Sequence, residues 1–415
     1  MFQSISAGFV AAIAGFASSF ALVIAAFIAV GATPEQAGSG LLAICLATAV
    51  VSTIGALVLR IPLAIAWSTP GAAVLLAAAG QGITFSDAVG AFIVSAILIV
   101  LCGLWPWLGR AITSIPKPLA SAMLAGVLLP ICLAPFQAVA ELPLLAGPIV
   151  LTWLVLYRLA PRWAVPAAMV VAIVCVFISA GSDWITEASI APQLTFVAPT
   201  FNINTVISLG LPLFIVTMAG QNIPGFTVMK SNDYTVPPRF ALVGTGLGSA
   251  GAAFFGGHAI NLGAITAAIM AGDESHPDRS KRWTATLTNG LLYIPLGLGA
   301  GAAVALVNAA PSILITAVAG LAVLGALISS VVGALEAPEH RITAIITFLV
   351  VASGIVIAGI GSAFWGLLAG GIVMLWLGWQ RRPKPEPISE TAPSGAPGES
   401  AEAGSPAEPE TTPKA

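Results

Sequence analysis

Apolar stretches of about 20 residues follow one another from the first positions of the chain to about residue 380, each long enough for a helix to span the hydrocarbon core of a bilayer. That pattern leaves few options. Inside hydrocarbon every unpaired backbone N–H or C=O costs several kcal/mol, so a spanning segment must close its own hydrogen bonds as a helix or join a sealed barrel. The chain is 58% hydrophobic and 8% charged, where soluble domains carry roughly 25% charged residues. The sequence predicts an all-α polytopic membrane protein with fourteen spans, near 5–31, 36–59, 61–80, 86–105, 117–134, 141–159, 163–180, 204–226, 238–255, 258–272, 283–305, 311–333, 341–358 and 361–380.

The basic residues check that count. With fourteen spans, alternate loops lie on opposite sides of the membrane. Arg60, Arg110, Lys117, Arg158, Arg162, Lys230, Arg239, Arg279, Lys281, Arg282, Arg341, Arg381, Arg382, Lys384 and Lys414 then all fall on one side. The other side carries only acids: Glu35, Asp87, Glu141, Asp183 and Glu187. The positive-inside rule makes both termini cytoplasmic, as expected of a multi-pass protein of the cytoplasmic (inner) membrane. The first span lacks a basic leader and a cleavage site, so it is expected to stay as a helix. Trp105, Trp107, Trp163, Trp283, Trp376 and Trp379 fall at predicted span ends, where indole rings favour the interface. Cys45, Cys102, Cys132 and Cys175 lie within spans, have no metal-ligand spacing, and read as packing residues without a disulfide.

Residues 383–415 are rich in Pro, Glu, Ser, Ala and Gly, hold six acids and two lysines, and are expected to form a disordered cytoplasmic tail. The acidic balance of the chain comes from this tail and carries no information about a substrate.

Weak internal similarity appears at an offset of about 190–195 residues. IPKPLASAMLAGVLL (115–129) resembles APSILITAVAGLAVL (310–324), and the third span, with AWSTPGAAVLL (66–76), falls opposite the tenth, with GGHAINLGAITAAI (256–269). An odd number of spans per half makes the repeat inverted, with residues 1–180 as the first half and 181–382 as the second. Corresponding Gly/Pro-interrupted spans in two such halves mark a transporter's binding site. Pro70 lacks an N–H and disfavours helix at Thr69, and Gly71, Gly256, Gly257 and Gly263 loosen the backbone around them. An extended stretch followed by a half-helix places unpaired N–H groups and a positive dipole end at mid-membrane, where an anion binds readily.

Every Asp and Glu lies in a loop, at a span end or in the tail, and no Lys or Arg sits at mid-membrane. A cation or sodium site usually offers a carboxylate. The polar groups at depth are neutral: Ser68, Thr69, Gln221, Asn222, His258 and Asn261. They suit a small monovalent anion. Each has a second reading. Gln221 and Asn222 wall the site or cap a helix broken at Pro224-Gly225. His258 is a substrate donor, a proton carrier or a bridge between helices. Its ordinary pKa of about 6.5 makes it the side chain at that depth able to titrate near neutrality. Ser68 and Thr69 bind substrate or satisfy backbone freed by Pro70, and Trp67 stacks on an aromatic ring or packs. The stretch HPDRSKRW (276–283) reads as an interfacial anchor and helix start that could also touch a cytoplasmic gate, with His276 and His340 solvated. No enzyme activity, catalytic residue, cofactor, metal or nucleic-acid partner is expected, and the oligomeric state stays open, a homodimer included.

GFASSFALV (15–23), AWSTPGAAVLL, AMLAGVLL (122–129), LPLFIVTMAGQNIPGF (211–226), AAIMAGDESHPDRSKRW (267–283) and GIGSAFWGLLAGG (359–371) together resemble the BenE family of benzoate/proton symporters. The resemblance runs to about residue 380. It implies an architecture similar to nucleobase-ascorbate and sulfate-type transporters, with spans 1–4 and 8–11 as a core domain and spans 5–7 and 12–14 as a gate. Nucleobase carriers of this architecture place glutamates on spans 8 and 10, where this chain has Gln221 and His258 with Asn261. That difference favours a carboxylate, which two glutamates would repel. The expectation is a symporter importing benzoate or a related aromatic carboxylate with a proton. The carboxylate is expected between Ser68–Gly71 and Ala259–Asn261, with Gln221 adding a hydrogen bond. The proton passes through His258 or travels on the substrate itself. A nucleobase or inorganic-anion carrier of the same fold is the alternative.

Overall fold

Helices account for most of the chain because its apolar runs leave the backbone no other partner in lipid. The computed structural model describes residues 2–105, 107–108, 116–181 and 193–379. The expected tail, and the loop charges Arg110, Asp183, Glu187, Arg381 and Arg382, lie outside them. Residues up to Leu375 form one unit, and Trp376–Ala415 forms a second that is described only over 376–379.

In chain order the elements are α1 (Phe2–Ala29), α2 (Pro34–Leu59), β1 (Ile65–Trp67), α3 (Thr69–Ala77), α4 (Phe85–Leu104), α5 (Lys117–Glu141), α6 (Pro143–Leu159) and α7 (Pro161–Ala180). They continue with α8 (Ile203–Ser231), α9 (Pro238–Ala253), β2 (Ile260–Leu262), α10 (Ala264–Ala271), α11 (Trp283–Leu298), α12 (Ala300–Ala309), α13 (Ser312–Leu335), α14 (Arg341–Ala352) and α15 (Ser362–Trp379). Among the described residues seven helices are long and apolar enough to cross a membrane, or eight if the pair bent by 56° around Gly299 is one span. The chain is therefore a multi-pass membrane protein of the all-α class, with one short strand pair.

Local chemistry sets the helix ends. Thr33 opens α2 with a capping box: its hydroxyl accepts from Gln36 N at 3.3 Å, and the Gln36 amide oxygen accepts from Thr33 N at 2.9 Å. Thr84 caps α4 through Asp87 N at 3.2 Å, and Thr200 donates to the Asp87 carboxylate at 2.6 Å, tying the 193–202 segment to that end.

Two sequence expectations change. Pro224-Gly225 does not break the eighth span, which runs helical to Ser231. Its backbone widens into π-turns over Val206–Gly210 and Met218–Asn222, each followed at once by a proline-bearing turn, Leu211-Pro212 and Ile223-Pro224. An extra residue in the preceding turn relieves the clash of a proline ring with its upstream carbonyl. The second change concerns the tenth span, whose half-helix starts at Ala264, with Gly263 as its N-cap, so Ile260 and Asn261 belong to the incoming strand and Ala259 precedes it.

The two interrupted spans meet. β1 pairs antiparallel with β2, setting Ile65 opposite Leu262, Ala66 opposite Asn261 and Trp67 opposite Ile260. A two-stranded ribbon this short is not stable alone. It persists because α1, α2, α8 and α9 surround it and because its edges are hydrogen-bonded by side chains. α2 also packs closely on α11, where a Cβ added to Gly290 would lie 2.8 Å from Ser52 Cβ and one on Gly297 2.7 Å from Cys45 Cβ. Small residues at such positions let helix backbones approach in a membrane.

Candidate functional site

The strand pair fixes where both half-helices begin. Ser68 N donates to Ala259 O at 2.8 Å, and Gly263 N donates to Ala64 O at 3.0 Å, extending the ladder to the first residue before each helix. With its amide oriented to match its neighbours, Asn261 donates to Leu262 O at 3.0 Å and accepts from Ser68 N at 3.2 Å. The edges of the ribbon are held from α8 and α9. Asn222 accepts from Leu262 N at 3.0 Å and donates to Met218 Sδ at 3.3 Å. Ser249 accepts from Ile260 N at 2.9 Å and donates to Thr245 O at 2.7 Å. The π-turn at 218–222 is what turns the Asn222 amide towards β2.

The two helix starts differ. At α3 the hydroxyl of Ser68 accepts from Gly71 N at 3.0 Å and lies 2.8 Å from the Thr217 hydroxyl on α8. A Cβ on Gly71 would fall 2.6 Å from Leu213 Cδ1 and 2.8 Å from Ser68 Oγ, so a larger residue in this turn would push on the Leu213 side chain and on the capping hydroxyl. At α10 the cap position is Gly263, and no side chain caps the first turn. A capping side chain there would also meet Thr266, whose Oγ1 lies 2.3 Å from where a Cβ on Gly263 would stand. The first-turn N–H groups of Ala264, Ile265 and Thr266 thus lack a side-chain acceptor, at the positive end of a helix.

His258 is fully buried. Its Nε2 lies 3.0 Å from Ser68 O, an atom that only accepts, so the proton sits on Nε2. Its Nδ1 has no partner among the described residues. The ring meets Phe27 edge-on at 5.5 Å.

Of the residues predicted from sequence, Trp67, Ser68, Gly71, Asn222, His258, Ala259 and Asn261 are all buried within this framework. Trp67 donates to the Ser19 hydroxyl at 2.9 Å, and its ring meets Phe16 at 5.6 Å and Tyr293 at 5.5 Å, both edge-on. Its faces are taken by packing. Thr69 and Gln221 are partly exposed, and neither side chain has a partner among the described residues, so they are the polar side chains of the predicted set that can meet a ligand directly.

Three groups were missed. The sequence placed the second helix start at Ala259–Asn261, whereas the first turn of α10, Ala264–Thr266, lies about five residues further on because pairing with β1 keeps the chain extended to Leu262. Residues 13–18 of α1 are partly exposed in mid-helix, with Phe16 stacked on Phe20 at 5.3 Å; the small, polar GFASSF run was the available signal. Arg282 is buried and sits at the other end of α10. Its guanidinium donates to Ala271 O at 2.6 Å, His276 O at 2.7 Å and Asp273 Oδ1 at 2.5 Å. A cation is favourable at a helix C-terminus, so both ends of α10 are electrostatically arranged: Arg282 at one, open N–H groups at the other. In the following loop, hydrogen bonds from the Ser280 hydroxyl and N–H, with Lys281 nearby, hold the Asp278 carboxyl down to about 2.

The family model for benzoate membrane transport proteins matches residues 2–376. The inner membrane protein YdcO of Escherichia coli is 42% identical over 367 residues, covering 88% of this chain and 93% of that one. The benzoate membrane transport protein of Acinetobacter baylyi is 32% identical over 364 residues, covering 88% and 92%. Among solved structures, the transmembrane domain of a cyanobacterial bicarbonate transporter, BicA, superposes with a TM-score of 0.60 at 17% identity, over 89% of this chain and 97% of that one. The murine anion transporter Slc26a9, in its inward-facing state, superposes at 0.61 and 14% identity, over 92% and 69%. These two likenesses concern the fold.

Proposed function

Because the chain belongs to the benzoate membrane transport family, and is thus a membrane transporter and not an enzyme, we propose that it imports benzoate or a related aromatic carboxylate together with a proton. The observation that carries this reading is the uncapped first turn of α10, which follows directly on the β1–β2 ribbon in a site without a charged side chain among the described residues. A carboxylate there would accept from the N–H groups of Ala264, Ile265 and Thr266, with Thr69 and Gln221 reaching it from α3 and α8. Ser68, Gly71, Asn222, Ala259 and Asn261 would shape the site by fixing both helix starts. Phe16 and Phe20, beside Trp67, offer an apolar wall for the ring. A carboxylate in such a site needs no counter-charge from a lysine or arginine, since the helix end supplies about half a positive charge.

The reading includes two inverted halves, 1–180 and 181–382, each of seven spans. Two features support it: Ile65–Trp67 pairs antiparallel with Ile260–Leu262, and α3 and α10 follow these strands at a common offset of about 195 residues, near the offset of the internal similarity. Spans 1–4 and 8–11 would carry the substrate past a gate of spans 5–7 and 12–14, with both termini cytoplasmic. His258 couples the proton: its Nε2 already donates to Ser68 O on the opposite half, so protonation at Nδ1 would be felt where the two half-helices meet.

Uptake of labelled benzoate into proteoliposomes, with excess unlabelled benzoate, uracil, sulfate and bicarbonate as competitors, tests the substrate class. Displacement by benzoate alone is expected. Absence of protein-dependent benzoate uptake, with labelled uracil, sulfate or bicarbonate taken up instead, would replace this reading with a nucleobase or inorganic-anion carrier.

A further inference from the structure

Polar groups that the site does not use gather along one helix seam. α2 and α11 run antiparallel, since Gly297 abuts Leu42 and Cys45 while Gly290 abuts Ala49, Ser52 and Thr53. On this seam the hydroxyls of Thr48, Ser52 and Thr286 and both amide atoms of Asn289 are buried with no hydrogen-bonding partner among the described residues. Thr48, Ser52 and Thr286 are 0% exposed and Asn289 1%. Native structures rarely leave such groups unmatched, and a cluster of them marks a place where something else binds.

The groups are spaced by helical turns. Thr48 and Ser52 are one turn apart on α2. Ser52 lies level with Gly290, next to Asn289, and Thr286 follows one turn nearer the start of α11. In the other direction a Cβ on Gly257 would lie 2.7 Å from Ile44 Cγ2, one turn before Thr48, and the next residue is His258, whose Nδ1 is unpartnered. A turn is about 5.4 Å, the span one water bridges with two hydrogen bonds of about 2.8 Å. Asn289 presents donors and an acceptor, and each hydroxyl presents both. The matching ligand must therefore both donate and accept. Water does so, while a bare cation would leave the Asn289 N–H groups unmatched.

We propose that water occupies the α2–α11 seam and carries the coupling proton between His258 and the start of α11, along a route separate from the carboxylate site. The inference rests on the proton-symport reading above. A proton leaving His258 Nδ1 passes to the first water, which releases its own proton to the next. The hydroxyls of Thr48, Ser52 and Thr286 accept one proton as they donate another. One proton enters the chain of hydrogen bonds and one leaves it, and each group ends as it began. The titratable groups along the seam are Cys45, Tyr293 and His258. Glu35 on α2 and Arg239 on α9 are exposed at helix ends, and Arg282, one turn before Thr286, is held by its three acceptors.

The test uses the full-length protein in proteoliposomes, with wild type, Asn289→Leu and the double variant Thr48→Val/Thr286→Val. Benzoate counterflow without a gradient, pH-gradient-driven benzoate accumulation, and benzoate-induced proton entry read by an internal dye are measured for each. The expected result is counterflow within about twofold of wild type and a loss of about tenfold or more in the two proton-linked readouts. Accumulation and proton entry at wild-type level in both variants would overturn the inference. So would a parallel loss of counterflow and accumulation in both, which marks the seam as packing alone. A wild-type protein that performs counterflow but moves no proton overturns the symport reading itself.

Discussion

Replacing Ser68 by alanine probes the junction on which the site depends. The hydroxyl holds two partners, Gly71 N at 3.0 Å and the Thr217 hydroxyl at 2.8 Å. Losing a helix N-cap costs about 1 kcal/mol. Thr217 is 0% exposed, so its orphaned hydroxyl adds about 1 kcal/mol, the lower end for an unsatisfied buried group because hydrogen bonds between membrane helices average about 0.6 kcal/mol and reach about 1.7. Ser68→Ala should therefore cost about 2 kcal/mol and Thr217→Val about 1 kcal/mol. The double variant has lost the cap but leaves no orphan, so it should cost about 1 kcal/mol and not about 3. Reversible unfolding in mixed micelles gives all four corners of the cycle. A coupling near 2 kcal/mol is expected, with the benzoate KM raised in Ser68→Ala because the first turn of α3 frays. Costs that add to within about 0.3 kcal/mol would refute the shared hydroxyl contact between α3 and α8.

Three further substitutions address other links. His258→Ala should abolish accumulation of benzoate against its gradient while counterflow survives; unchanged pH-driven accumulation would exclude the His258 route. Gln221→Glu places a carboxylate at the edge of the anion site, and at about 5 Å and an effective dielectric of about 20 two such charges repel by about 3 kcal/mol, enough to raise the benzoate KM tenfold or more at pH 7. An unaltered KM would remove Gln221 from the site. Arg282→Gln should destabilise the protein by about 2–4 kcal/mol by freeing Ala271 O and His276 O, and Arg282→Lys should not restore it, since one ammonium cannot reach three divergent acceptors. Thermal unfolding that ranks the lysine variant with wild type would contradict the clamp.

The spans were legible because hydrocarbon admits so few backbone solutions: length and apolarity alone located α1, α2, α4, α5, α7 and α13. The interrupted segments were legible as well, since Pro70 can open a helix but not continue one, and the glycines around His258 loosen the backbone. Which residue begins α10 was not. Gly256, Gly257 and Gly263 are equally permissive in sequence, and the strand partner that extends the chain to Leu262 is about 195 residues away. For the same reason Asn222 looked like a ligand-facing amide, whereas β2 uses its oxygen. The π-turns of α8 escaped notice because proline normally signals a break, and a widened turn upstream cancels that signal. Arg282 read as one more basic residue of a loop. Its burial depends on the carbonyls at the end of α10 converging on it, which no local pattern announces.

In the proposed function, a site of neutral donors binds an aromatic carboxylate and moves it with a proton. Purified protein in liposomes, given labelled benzoate and an inwardly directed proton gradient with the membrane potential clamped, tests it most directly. The expected result is accumulation above the equilibrium level that collapses when a protonophore is added and that protein-free liposomes do not reproduce. Benzoate uptake that stops at equilibrium whatever the gradient, or none beyond protein-free liposomes, would contradict it.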